Sequence, residues 1–242
     1  MQMQDPRPLR VRMKVALGVK RTLDVVGSLC GLVLLSPVLA LTAVAVLATE
    51  GRPILFRHAR PGRGGSPFTM FKFRTMRPLR PGEVMYRTDD RRVTRIGRFL
   101  RVTSLDELPE LWNVLRGDMS LVGPRPLLME YLDDYTPEER RRHEARPGMT
   151  GWAVVNGRHA LKFRERLKLD VWYVDHWSLG LDLRILARTL VQVLRRSGVS
   201  VTEDIGEIGF PLPATGHAIA GTPGPDHAPR TDPSRARQPR EM

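Results

Sequence analysis

"VVGSLCGLVLLSPVLALTAVAVLA", residues 25–48, decides the fold, because it carries no charged side chain. Its about 24 residues would form a helix of roughly 36 Å, enough to cross a hydrocarbon core of about 30 Å. The run is too long for the core of a signal peptide, and no small-residue cleavage pattern clearly closes it. One membrane-spanning helix is the plain reading, and two features oppose it. Ser36-Pro37 stands at the midpoint, where proline removes a backbone donor and clashes with the preceding turn. Both flanks are basic, with Lys14, Lys20 and Arg21 before and Arg52, Arg57 and Arg60 after. Basic flanks favour the cytoplasmic side, so a single crossing leaves one cluster on the wrong face. A helix broken at Ser36-Pro37, with arms of about 12 residues or ~18 Å each, satisfies both clusters. The residues alone leave spanning and re-entrant readings open, with the flanks tilting toward the second.

The 242 residues give room for one medium domain with a core, plus appendages. A formal net charge of +13 points to anionic partners: nucleic acid, acidic lipid or phosphorylated small molecules. Nucleic acid is the poorest of these. Aromatics are only 6% of the chain, no basic stretch interleaves them, and no groove-reading motif is present. Cys30 is the only cysteine, which excludes internal disulfides and zinc-finger spacing and fits a reducing compartment. Inside the apolar run it reads as an inert, buried thiol.

Past the run, "PILFRHARPGRGGSPFTMFKFRTM" (53–76) reads as two extended pieces around a Gly-Pro-rich turn. Alternation puts Lys72 and Arg74 on one face of the second piece and Phe71 and Phe73 on the other. "GRGGS" lacks both a Walker ending and a strand-to-helix context, so it is discounted as a phosphate loop. Helical signal follows in "RVTRIGRFLRV" and at about 110–116, 137–145 and 160–175. In "LGLDLRILARTLVQVLRRSGV" (179–199), Leu183, Leu186, Leu190 and Leu194 form a stripe, with Arg184, Arg188, Arg195 and Arg196 on the basic side. Such a helix suits an anionic membrane surface or the domain core. Trp172, Tyr173 and Trp177 just before it suit the headgroup level or the core equally. Beyond about residue 203 the composition is that of a disordered tail, in which His217 and His227 read as solvated.

"TSLDELPELWNVLRGDMSLVGPRPL" (103–127) sets two acids, Asp106 and Glu107, just ahead of a proline. Ser104-x-x-Glu107 has capping-box spacing, and acids in a first turn complement the helix dipole. That register leaves Pro109 inside the helix, where its missing N–H costs a bond. The other reading is chemistry. Arg125 lies between Pro124 and Pro126, a stiff loop from which a guanidinium fork can grip phosphate. "RPGMTGW" (146–152) is a second arginine-proline-glycine turn.

"KRTLDVVGS", the Ser-Pro of the apolar run, "FKFRTM", the 103–127 stretch, "RPGMTGWAVVNGR" and "LDVWYVDHWSLGLDLRIL" resemble, in order, the blocks of the bacterial sugar transferases. These are the monotopic polyprenyl-phosphate phosphoglycosyl transferases, and the resemblance to their small single-domain form runs from about Lys20 to Val199. It implies a mainly helical α+β fold with short strands and interfacial amphipathic helices. The implied segments are a basic extension over 1–19, a re-entrant helix-break-helix over 20–50, a cytosolic transferase domain over 51–202, and a disordered tail over 203–242. It further implies transfer of a sugar 1-phosphate from a UDP-sugar to undecaprenyl phosphate, with release of UMP, at the cytoplasmic face of the bacterial inner membrane. The glycan served would be an exopolysaccharide, capsule, O-antigen or glycoprotein glycan.

In that family the aspartate of the acid pair is the nucleophile, which maps to Asp106; it must be ionised, aligned and relieved of repulsion by the donor's phosphates. Magnesium, held by Asp106 and Glu107, would supply the neutralisation. Arg125, with Lys72, Arg74, Arg101 and Arg146 as helpers, would hold substrate phosphate. Lys20, Arg21 and Asp24 match the block at the head of the re-entrant helix and would fix its pitch, with direct lipid-phosphate contact open to the basic pair. An acid at the membrane edge needs a partner, and Lys20 or Arg21 is the natural one for Asp24. Anionic lipids and downstream glycosyltransferases are the further partners implied. Val102 and Val154 depart from polar positions of the family, away from the chemistry. "VNGRHALKFRERLKLDVWYVDHWS" is similar to small members that act on N-acetylated amino sugars. The rivals are a metal-dependent glycosyltransferase releasing UDP, to which Asp89-Asp90 gives superficial support, and a non-catalytic membrane adaptor.

Overall fold

The computed structural model describes residues 7–80, 89–157 and 161–195. The readings of a tail past residue 203, of its two histidines, of Arg196 and of the Asp89 and Asp90 side chains lie outside what is described. The first helix, α1, spans Arg7–Leu34, and α2 spans Ser36–Glu50. No single described helix is long and apolar enough to cross a membrane; Val15–Leu34 and Ser36–Glu50 together are, bent by 62°. The break is where the sequence predicts, but the arms are unequal, because the helix continues upstream of the apolar run through 28 residues.

The chemistry of the break is local. Pro37 has no N–H to give the Val33 carbonyl four residues back. The Ser36 hydroxyl donates to that carbonyl instead, at 2.8 Å. Leu35 sits between the helices with φ −93° and ψ 5°, and Leu39 N–H resumes the ladder to Leu35 O at 2.8 Å.

Strands β1 (Leu55–Pro61) and β2 (Pro67–Phe73) pair antiparallel around the glycine-rich turn, as the sequence indicates. A short α3 (Asp89–Arg92) leads to α4 (Arg95–Thr103), whose Thr94 cap accepts the Gly97 N–H at 3.0 Å. Then come α5 (Glu110–Arg116), β3 (Ser120–Val122), α6 (Pro137–Arg140), β4 (Gly148–Thr150) and α7 (Trp152–Val155). The chain ends its described part in α8 (Phe163–Asp175) and α9 (Leu179–Arg195). β3 and β4 pair in parallel. The protein is α+β and mainly helical, with two two-stranded sheets among the described residues.

The domain sits in the angle of the bent pair. On the α1 side, a Cβ at Gly27 would come 2.8 Å from the Leu121 side chain, and one at Gly31 would come 3.1 Å from Leu111. Asp24, Gly27, Ser28 and Gly31 recur at helical spacing, so one narrow face of α1 meets α5 and β3. On the α2 side, Val46, Leu39 and Ala43 pack with Phe73, Leu100, Ile96 and Leu105. Outside these contacts Leu23, Val26, Leu29, Val33, Leu41, Val44 and Leu47 are exposed, a continuous apolar surface on both arms. Cys30 is exposed on it, so it is not the buried thiol that the sequence suggests.

Lys20, Arg21 and Asp24 tie α1 to the domain, but not to one another. Lys20 Nζ donates to Asp182 Oδ2 on α9 at 2.7 Å and to Val122 O at 3.0 Å. Arg21 covers the open end of α5, donating to Val114 O at 2.6 Å and Leu115 O at 2.8 Å. Asp24 is buried and accepts from Ser120 Oγ at 3.0 Å and the Leu121 N–H at 2.9 Å. The expected pairing of Asp24 with Lys20 or Arg21 is therefore corrected: the edge of β3 reaches Asp24 first, and Asp182 takes the lysine.

On α9 the leucine stripe divides between the surface and the core. Leu181, Asp182 and Ile185 are buried, while Leu183 and Leu190 are 59% and 61% exposed. Leu183 and Leu190 therefore face outward, while Leu186 packs against the cluster of Val122, Tyr173, Leu181 and Ile185. Of the three aromatics before α9, Tyr173 belongs to the core, and its hydroxyl donates to Asp182 Oδ1 at 2.7 Å. Trp177 Nε1 donates to the same carboxylate at 3.1 Å, and Trp172 stacks in the open between Trp152 and His176.

Candidate active site

The acid pair lies on a single 3-10 turn, Leu105–Glu107, between α4 and α5. Ser104 enters that turn with φ 56° and ψ 20°; it is the one non-glycine residue of positive φ among the described residues. A left-handed serine costs about 1 kcal/mol or more, so the surrounding packing has to hold it. Its side chain makes no capping bond, and the helix starts only after Pro109. The capping-box reading is thereby replaced: proline sits at the start of α5, where its missing N–H costs nothing. Leu105 anchors one side of the turn in the α2 cluster and Leu111 the other side on α1.

Asp106 is only 8% exposed, and among the described residues no donor bonds its carboxylate. Burial pushes its pKa up, Glu107 beside it adds to the rise, and Lys72, Arg101 and Arg125 offset part of it, leaving it at about 6. Glu107 is treated differently. Burial opposes its charge too, but Arg125 and Lys72 hold it ionised well below the usual carboxylate range. Arg125 grips it with both terminal nitrogens, Nη1 at 3.4 Å from Oε2 and Nη2 on Oε1. Lys72 Nζ donates to Oε1 at 3.0 Å. One acid is locked between cations, and the other is buried with no hydrogen bond from a described residue.

A third acid completes the group. Glu110, on the first turn of α5, is 1% exposed, and its Oε1 lies 3.4 Å from Lys72 Nζ without forming a hydrogen bond. Burial raises its pKa to about 7, with Lys72 pulling down and Glu107 and Asp106 pushing up. The sequence reading missed it; the spacing of three from Glu107, across the turn that leads into α5, is the signal that finds it.

The structure brings together Asp106, Glu107, Lys72, Arg101 and Arg125. Arg101 donates Nε to Thr75 Oγ1 at 3.0 Å and lies close enough to act on Asp106. Arg74 and Arg146 lie elsewhere. Arg74 is buried and turns away from Lys72 to the end of α2, where it donates to the carbonyls of Glu50, Gly51 and Arg52. Being one residue past β2 frees it from the strand's alternation. Arg146 donates Nε to Gly117 O at 3.1 Å, in the company of Arg21 and Arg63.

The loop carrying Arg125 is locked to the 146–151 turn by close backbone approach. Gly123 N–H donates to Thr150 O at 2.9 Å and Gly148 N–H to Pro124 O at 3.0 Å. A Cβ at Gly123, Gly148 or Gly151 would fall 2.2, 2.1 or 2.2 Å from a backbone atom of the opposite segment. Only glycine lets the two loops meet this closely.

Among the described residues no group of three or more His, Cys, Asp or Glu could hold a metal ion by itself. Magnesium does not require such a group, since it binds through one or two carboxylates together with substrate phosphates. The unbonded Asp106 carboxylate fits that role; Glu107, with both oxygens on Arg125, is the more committed of the pair.

The bacterial sugar transferase family profile matches residues 15–196. An uncharacterized sugar transferase, EpsL of Bacillus subtilis, is 46% identical over 187 residues, covering 77% of this chain and 93% of the relative. The UDP-glucose:undecaprenyl-phosphate glucose-1-phosphate transferase of Caulobacter vibrioides is 45% identical over 185 residues, covering 72% and 69%. The UDP-galactose-lipid carrier transferase of Erwinia amylovora is 43% identical over 198 residues, 74% of this chain but only 41% of that protein. The chain thus spans most of its shorter relatives and less than half of the longer one. It belongs to the bacterial sugar transferase family. Within that family it is an enzyme of the phosphoglycosyl transferase class.

Proposed function

We propose that this chain transfers a sugar 1-phosphate from a UDP-sugar to undecaprenyl phosphate through a covalent intermediate on Asp106. A carboxylate oxygen of Asp106 attacks the phosphorus that bears the sugar. The bond from that phosphorus to the bridging oxygen breaks, and UMP leaves with the oxygen and its electron pair. An oxygen of the lipid phosphate then attacks the same phosphorus, and Asp106 departs as a carboxylate. The observation that carries this reading is the contrast within the acid pair: Glu107 is held by Arg125 and Lys72, while Asp106 is buried, free of hydrogen bonds from described residues and flanked by three cations.

Each side chain then has a task. Arg125 and Lys72 hold Glu107 and present positive charge to incoming phosphate, and Arg101 supplies more from the α4 side. Burial raises the Asp106 pKa to about 6, which leaves the carboxylate charged at neutral pH yet without the solvation that would dull it. Magnesium, when bound beside the donor diphosphate, would neutralise the charge that otherwise repels the carboxylate. The names of the Caulobacter and Erwinia relatives point to a glucose or galactose donor, and the amino-sugar expectation stays in the panel beside it.

The bent helix pair suits a re-entrant insertion. Its outer surface is apolar, Ser36 satisfies the carbonyl that Pro37 abandons, and basic residues flank both arms. In this reading the domain and both arm ends lie on the cytoplasmic face of the cell membrane, where the nucleotide sugar and lipid phosphate meet.

The test uses the full chain in lipid with undecaprenyl phosphate, magnesium and a panel of UDP-sugars. UMP release with a phosphosugar adduct on Asp106 by mass spectrometry is the expected result. Release of UDP would turn the reading to a glycosyltransferase, and undiminished cellular function in Asp106→Asn would turn it to an adaptor.

A further inference from the structure

Arg142 is the largest fully buried side chain among the described residues, 2% exposed. Its Nε and Nη2 donate to Asp170 Oδ2 on α8 at 3.1 and 2.6 Å, and Nη2 also donates to the main-chain oxygen of Arg125 at 2.6 Å. Its guanidinium carbon lies 5.9 Å from the centre of the Tyr135 ring. A buried ion pair of this kind is a weak source of stability, because the desolvation of both charges offsets their attraction. What it fixes is geometry, and here the fixed object is the Pro124-Arg125-Pro126 loop.

The prolines leave that loop short of donors. Neither Pro124 nor Pro126 has an N–H, so the protein pins the triplet through its carbonyls. Pro124 O accepts from Gly148 N–H, and Arg125 O accepts from Arg142. The second bond is charge-assisted, and its donor is itself braced by Asp170. From this backbone anchor the Arg125 side chain reaches Glu107, the neighbour of Asp106. A rigid path therefore runs from α8 through Arg142 to the guanidinium beside the acid pair.

We propose that Arg142, braced by Asp170, is a positioning residue for Arg125, setting where that guanidinium meets the donor's phosphate; the proposal rests on the functional reading above. A shift of about 1 Å at a group that orients substrate can cost on the order of 100-fold in rate. Arg142→Gln should therefore lower kcat/KM for the UDP-sugar by roughly 10- to 100-fold, while the KM for the lipid acceptor stays unchanged.

A double-mutant cycle of Arg142→Gln and Arg125→Ala separates positioning from general damage. If Arg142 acts through Arg125, adding Arg142→Gln to Arg125→Ala changes donor turnover less than about twofold, although it is costly alone. Two results would overturn the proposal: the same factor in both backgrounds, or full donor turnover in a folded Arg142→Gln protein. If that variant does not accumulate, Arg142→Lys takes its place in the cycle, since it keeps the buried charge but lacks the fork that spans both acceptors. Affinity for UMP, measured on the same four proteins, reads Arg125 without turnover. An inactive wild type would thus sink the functional reading while UMP binding still decided this one.

Discussion

The Ser36 hydroxyl and the Val33 carbonyl meet at 2.8 Å, on the one acceptor that Pro37 cannot serve. Hydroxyl and proline therefore act as a unit, which gives a cycle with a definite sign. Ser36→Ala leaves a carbonyl unpaired in apolar surroundings and should cost about 1–3 kcal/mol. Pro37→Ala restores an N–H, so Ser36→Ala combined with Pro37→Ala should lose less than the single serine variant. Thermal unfolding of the four proteins in lipid nanodiscs checks this.

Asp106 should show itself in both activity and stability. Turnover should rise with pH through about 6 and level off above, as the carboxylate ionises. Its folded pKa lies above the unfolded value of 3.8, so the native state binds the extra proton between those values and stability falls as pH rises there. Asp106→Asn should therefore lose adduct and turnover, yet melt higher than wild type at pH 8, by on the order of 1–3 kcal/mol. The difference should shrink below pH 6 and vanish near pH 4, which melting curves across that range would record.

Glu110 should behave as a buried acid kept near its charging point. Its folded pKa of about 7 exceeds the ordinary 4.5, so Glu110→Gln should stabilise the protein at pH 8 and have little effect at pH 4.5. The variant also removes one carboxylate charge from beside Lys72, leaving its bond to Glu107. UMP release should survive in Glu110→Gln, in contrast to Asp106→Asn, and a rate assay on both would check the division of roles.

Glycine substitutions should sort by backbone distance. Gly123→Ala, Gly148→Ala and Gly151→Ala each drive a Cβ to about 2 Å from facing backbone, where repacking has no side chain to move; each should cost about 3 kcal/mol or more. Gly18→Ala meets nothing within 4 Å on an exposed helix face and should stabilise by about 0.5–1 kcal/mol. Chemical denaturation of the four variants gives the comparison.

The sequence made the helix break, the two strands around 62–66 and most of the helices legible, because proline, glycine and apolar spacing act within a few residues. Asp106, Glu107, Arg125 and Lys72 were likewise legible as a group only through family resemblance; their convergence needs β2, the 104–107 turn and the 124–126 loop to fold against one another. What escaped was decided across the chain. Asp24 found β3 rather than its helical neighbours, Arg74 left its strand for the end of α2, and the α9 leucines, which spacing left open to surface or core, divide between the two. Ser104 read as a cap because its spacing to Glu107 is right; its left-handed backbone is imposed by anchors on both sides of the turn.

Those anchors have a consequence for how the enzyme is made. Leu105 leans on one arm of the hairpin and Leu111 on the other, so the turn carrying Asp106 acquires its shape only while the angle between the arms is kept. Under the proposed re-entrant insertion, bilayer entry and the shaping of this turn are then one maturation event. Amputating the greasy segment to obtain a soluble version should yield a polypeptide that survives but is inert.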